Sequence, residues 1–159
     1  MPNSYHLTAA AISSLPCTLN IHPVNAKARR TISSPGDATG LTTLGINIFE
    51  VAPGDKSTEY HVHSCEDEAV YVLSGSGTAR TGDDIYAIHA GDFIGYPKGG
   101  PAHEIQNTGG EPLRLLVMGQ RLSEDVIDYP DLDKRLFRYA GRSNDLVDVL
   151  HISPLDAAD

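Results

Sequence analysis

The stretch EYHVHSCEDEAVYVLSG, Glu59 to Gly75, brings together the residue types that bind metals. Residues two apart on a β-strand face the same side. His61 and His63 therefore project together if TEYHVH is extended, with Val62 opposite. The polar SCED segment has the character of a loop, and EAVYVL then resumes alternation. If the chain turns back as a neighbouring strand, Glu68 stands at its start and can reach the point where the imidazoles converge. Glu66 and Asp67 have a competing claim to that role. Strand phase favours Glu68 and leaves the other two as solvated loop acids. Neutral imidazoles and a carboxylate suit a divalent first-row metal.

A second segment, GDFIGYPKGGPAHEIQN, Gly91 to Asn107, delivers another imidazole. Gly91 and Asp92 make a turn, FIGY a short strand, and PKGGPA a tight loop that places His103 on the next strand, sharing a face with Ile105 and Asn107.

The elements that must position these side chains are strands. From Leu41 to Arg121, short runs of Val, Ile, Leu, Tyr and Phe alternate with glycine-rich punctuation, as in LGINIFEVAPGD, EAVYVLSGSG and PLRLLVMGQ. Strands of this length with frequent turn signals predict an all-β sandwich or barrel, and no stretch there sustains a helical period. Residues 1–40 lack periodicity and contain SSPGDATG, which reads as an N-terminal arm with one or two short strands. Residues 122–159 read as a C-terminal tail outside the barrel. In it Ser123 is a possible N-cap, and Pro130 limits any helix to a turn or two. One domain is expected.

With 159 residues the chain is long enough to bury a core without disulfides. A formal net charge of -9 argues against nucleic acid or an anionic membrane as partner. No run approaches the ~18 apolar residues of a membrane span. Cys17 and Cys65 suggest no disulfide framework, and the N-terminus has no basic residue before its short apolar patch, so a reducing cytoplasm is expected.

The two segments together resemble the cupin family. Its first motif is matched by Gly54, His61, His63, Glu68 and Gly75, with four residues before Glu68 and six before Gly75. Its second is matched by Gly91, Pro97, Gly100, His103 and Asn107. The gap from Gly54 to His61 and the loop PKGGPAH each exceed the commonest form by one residue, in loops that carry no ligand. The resemblance covers about residues 41–121. It implies a jelly-roll β-barrel (a double-stranded β-helix) enclosing a ligand cavity. His61, His63, Glu68 and His103 carry over as ligands of one divalent metal ion: Fe, Mn, Ni or Zn. A homodimer is also implied, with the arm covering an edge strand in the chain or across a twofold partner.

Three histidines and one carboxylate leave a net charge of about +1 on a divalent ion and two open positions if it is six-coordinate. Such a centre can hold a chelating small molecule and polarise a carbonyl. The leading expectation is a sugar or sugar-phosphate isomerase-like enzyme, in which a base moves a proton between neighbouring carbons. Glu50, Tyr60, His89 and Tyr96 are the candidate acids or bases. Arg80, Lys98 and Arg114 are candidates for a phosphate, and Ile46, Ile48, Val70, Val72, Phe93 and Ile105 for an apolar lining. The alternatives are a non-haem Fe(II) dioxygenase of a small chelating substrate and a non-catalytic small-ligand-binding module.

Overall fold

The alternating segments form strands in the computed structural model, which describes residues 5–153. In chain order the strands are β1 (Thr18–His22), β2 (Asn25–Ser33), β3 (Leu44–Val51), β4 (Val62–His63), β5 (Glu68–Ser74), β6 (Ser76–Thr81) and β7 (Asp84–His89). They continue as β8 (Phe93–Tyr96), β9 (His103–Gln106), β10 (Leu113–Gln120), β11 (Glu124–Tyr129), β12 (Lys134–Tyr139) and β13 (Asp145–Asp148). Two short helices, α1 (Ala9–Ser13) and α2 (Pro35–Ala38), precede β3. The class is all-β, as the alternation predicts. No helix among the described residues is long and apolar enough to cross a membrane.

Three sheets build the body. A six-stranded sheet runs β1-β2-β3-β10-β5-β8, a three-stranded sheet β7-β6-β9, and a four-stranded sheet β13-β12-β11-β4. β10 is a central strand whose Leu113, Leu115 and Val117 point inward and are essentially buried, while Arg114, Leu116 and Met118 point outward. From the six-stranded sheet Val51, Val70 and Val72 join them, and from the three-stranded sheet Ala79, Ile88 and Ile105. This is the sandwich of a jelly roll. The hydrogen-bonded ladders stop short of a continuous cylinder. Isolated pairs cross the gaps: Ala28 with Lys56 and Lys56 with Gln106 link β2 to β9 through the segment between β3 and β4, and His61 with His103 ties the β4 segment to β9.

The two flanks differ from the arm and tail in what they add. β1 and β2 form a hairpin, and Thr31, Ile32 and Ser33 of β2 pair with Glu50, Phe49 and Ile48 of β3, so the N-terminal segment widens the main sheet. The C-terminal segment is mostly strand. Its helical content is two 3-10 turns, Pro130–Leu132 and Val149–His151. Ser123 caps no helix, because the next six residues are β11, pairing with β12 along its length and with β4 at Ile127 and Asp128. A two-residue β4 would otherwise be an open edge. The tail therefore does not simply lie outside the barrel: it forms one wall of the site.

Candidate metal centre and its cavity

His61 and His63 point the same way, as strand phase requires, and their Nε2 atoms lie 3.1 Å apart. Each ring is oriented by its other nitrogen. His61 Nδ1 donates to the Glu59 carbonyl at 2.8 Å, and His63 Nδ1 donates to Asp125 Oδ2 at 2.6 Å. With both protons on Nδ1, both Nε2 atoms carry lone pairs, so no hydrogen bond can form between them. Two facing lone pairs at this distance are repulsive unless a cation sits between them. Glu68 closes the group: one atom from each of His61, His63 and Glu68 lies within 4.8 Å of the others.

His103 adds a third imidazole. Its ring centre is 4.5 Å from that of His61, and its Nε2 is 3.5 Å from Glu68 Oε1. Both His103 ring nitrogens are buried and make no hydrogen bond of full geometry. Burial of such orphans is costly. The Tyr96 ring lies flat on His103, 3.6 Å between centres and 5° from parallel, and fixes its plane. These four side chains could hold a divalent metal, and the orphaned nitrogens and opposed lone pairs fit one.

The electrostatics keep the donors in ligating form. Burial lowers the His61 pKa to about 3, helped by His103 and opposed by Glu68, so its imidazole is neutral. Burial alone would raise Glu68, but His103, whose Nε2 stands 3.5 Å from its Oε1, and the other two imidazoles outweigh it and hold the carboxyl below its usual range.

The competing acids have other partners. Glu66 is buried and not solvated: it accepts from the Leu122 N–H at 2.6 Å and pairs with Arg138 of β12. It lies near His63 and Asp125 in a second group of possible ligands, but its charge is already met by Arg138. Asp67 accepts from the Lys98 N–H at 2.9 Å. Both hold the loop in shape.

The four residues open onto a cavity of about 200 Å³, below the ~300–1,000 Å³ usual for drug-sized ligands. Of the expected lining, Val70 and Ile105 face it. Ile46, Ile48, Val72 and Phe93 do not. Inward on β3 is the phase of Phe49 and Val51, Val72 is sealed in the core, and Phe93 is on the outer surface, 64% exposed. Leu115, Val117, Ile127 and Tyr129 complete the apolar wall.

The four candidate acids and bases fall apart. Tyr96 lines the cavity, but burial, with Glu68, raises its hydroxyl well above the usual range. Glu50 is on the outer face within 3.8 Å of Arg114, and His89 is exposed at the end of β7. Tyr60 is buried outside the cavity, with Arg80 stacked over its ring at 3.6 Å and its hydroxyl donating to the Gly82 carbonyl at 3.2 Å. The phosphate candidates also lie elsewhere. Arg80 pairs with Asp131 at 2.6 Å, Arg114 faces Glu50, and Lys98 is exposed. Arg30, which sits in a basic run with Lys27 and Arg29 that reads as solvated surface, is turned into the cavity instead, and Tyr129 and Asp125 join the site from the C-terminal segment. No local pattern marks them, because each arrives through pairing between distant strands.

Residues 47–119 match the family model described as a cupin domain. The chain is 47% identical to a proposed sugar phosphate isomerase from Acidithiobacillus ferrooxidans, covering 96% of this chain and 97% of that one with a TM-score of 0.91. It is 29% identical to a sugar phosphate isomerase of the cupin superfamily from Silicibacter pomeroyi, covering 91% and 94% with a TM-score of 0.81. Auxin-binding protein 1 of Arabidopsis thaliana is 36% identical over 101 residues, 58% of this chain but only 50% of that protein. In sequence motif, architecture and relatives alike, the chain is a member of the cupin superfamily.

Proposed function

We propose that this cupin is a divalent-metal-dependent enzyme acting on a small molecule, of the sugar or sugar-phosphate isomerase type. The observation that carries the metal is the pair of opposed Nε2 lone pairs, 3.1 Å apart, beside the orphaned His103 nitrogens. The names of the two solved relatives support the reaction class.

In this reading His61, His63, Glu68 and His103 hold one Fe, Mn, Ni or Zn ion. When bound, the ion supplies Lewis acidity toward a substrate hydroxyl and carbonyl. Asp125 and the Glu59 carbonyl keep two imidazoles in the ligating tautomer. Phe49, Leu115, Val117 and Ile127 exclude water from one side of the cavity. Burial raises the Tyr129 hydroxyl above its usual range and Glu59 adds to it, against the opposing Arg30 charge, so the phenol stays protonated and can donate to a substrate oxygen. The same reading takes the protein as a cytoplasmic homodimer. The unpaired Cys17 and Cys65 fit a reducing compartment, and the exposed Tyr71, Leu73 and Phe93 offer apolar surface to a second copy.

Metal-stripped protein reloaded separately with each of the four ions, and assayed with aldose and ketose phosphates with and without oxygen, tests the proposal. Interconversion without oxygen and its loss on chelation are the expected results. Restoration by Fe(II) alone with a strict oxygen requirement would move the assignment to a dioxygenase. Thermal stabilisation by a sugar phosphate with no product would make it a binding module. A monomer by light scattering at micromolar concentration would remove the dimer.

A further inference from the structure

We propose that Arg30 is the anion-recognising residue of this cavity and binds a carboxylate or phosphate group of the substrate. The inference rests on the small-molecule reading above and names what recognises the charged end of that molecule.

Arg29 and Arg30 are neighbours on β2 and so face opposite sides of the sheet. Arg29 points outward and pairs with Asp55 at 2.6 Å, its side chain 48% exposed. Arg30 points inward and lines the cavity with Ser57, Thr58 and the four candidate ligands, and no other Lys or Arg lines it.

Its guanidinium has five N–H donors. Nη1 donates to the Ser57 carbonyl at 2.5 Å, the plane lies over Phe49 at 4.6 Å, and Nε is buried with no partner. Among the described residues every other arginine is either within 4.0 Å of a carboxylate or exposed to solvent. Arg30 has neither form of relief. An inward-facing guanidinium without a counter-ion is a costly arrangement, and the protein maintains it beside open volume.

Its planar fork matches a carboxylate or phosphate in two-pronged fashion. Glu68 contributes to the electrostatics at Arg30, yet it is not in ion-pair contact with it and faces His103 instead. An anion from solution is therefore the missing partner. In a chain of net charge -9, a local cation is also what lets an anion enter at all.

Calorimetric titration of the zinc-loaded full chain with glycerol, glycerate and glycerol 3-phosphate tests this. The native protein should bind one of the two anions roughly tenfold or more tightly than glycerol. Arg30→Met should erase that preference while zinc content stays at the native level. Arg30→Lys should restore part of it, since an ammonium supplies charge without the fork. Whichever anion leads identifies carboxylate or phosphate as the recognised group. A preference that survives in Arg30→Met, or no preference in the native protein, overturns the assignment. Should Arg30→Met fail to fold, anion binding by Arg30→Lys that equals the native would overturn it too. Arg30-dependent anion binding by protein that retains no zinc supports the assignment and counts against the metal reading.

Discussion

Asp125 Oδ2 lies 2.6 Å from His63 Nδ1, although the two residues are 62 positions apart. The Asp125 side chain is fully buried, accepts the Cys65 N–H at 3.0 Å through its other oxygen, and has Arg138 at 3.9 Å. It leaves His63 Nε2 free of a proton and aimed at the cluster. Partners of this kind are worth about 10- to 100-fold in metal affinity. Asp125→Asn should weaken zinc binding by that factor in a competition titration while the far-ultraviolet dichroism is unchanged. Equal affinity would mean that packing alone orients the ring.

Metal removal should also be visible in stability. A ligand that binds only the folded state stabilises it by RT ln(1 + [L]/Kd), about 2.7 kcal/mol at a hundredfold excess over Kd. Chelation should therefore lower the native melting temperature, and reloading should restore it. His61→Ala should melt at one temperature whether or not metal is added. A metal-dependent shift in that variant would break the ligand assignment.

The glycines of the motif obey backbone rules. Gly54, Gly75 and Gly91 have φ of 84°, 86° and 97°, where a Cβ is strained. Space distinguishes them. A Cβ at Gly54 meets nothing within 4 Å, whereas one at Gly75 would lie 2.6 Å from the Pro112 carbonyl oxygen. Gly54→Ala should cost about 1–2 kcal/mol in urea denaturation, and Gly75→Ala about 3 kcal/mol or more because backbone must move as well. Equal costs would show that conformation alone selects Gly75.

These glycines explain why so much of the site was legible. Turns that need positive φ, and strands that present every second residue, are local properties, so the strands and faces that carry His61, His63, Glu68 and His103 could be read from spacing, while their joint role as ligands came from the resemblance to cupins. What stayed hidden depends on distant pairing. Arg30 reaches the cavity because β2 docks on β3, and Asp125 reaches His63 because β11 docks on β4. The phase of β3 was also hidden: Ile46, Ile48, Phe49 and Val51 put apolar residues on both faces, so alternation could not say which face turns inward. The segment after Ser123 carries cap-like residues, but pairing with β4 on one side and β12 on the other overrides that local preference.

The same tail supplies the last prediction. Ile127 on β11 is buried, pairs with His63 and lines the cavity, whereas Leu146 on β13 is 40% exposed. Ile127→Ala removes buried methyl groups from a wall that cannot fully collapse, because a cavity already lies behind it. The expected loss is about 2–4 kcal/mol in urea denaturation. Leu146→Ala should stay within about 0.5 kcal/mol of native. The zinc affinity should fall in Ile127→Ala as well, because the truncation loosens the cavity wall that Ile127 shares with His63. Equal and small losses from both changes would mean that the tail is a surface appendage, and that β4 orients its histidine without it.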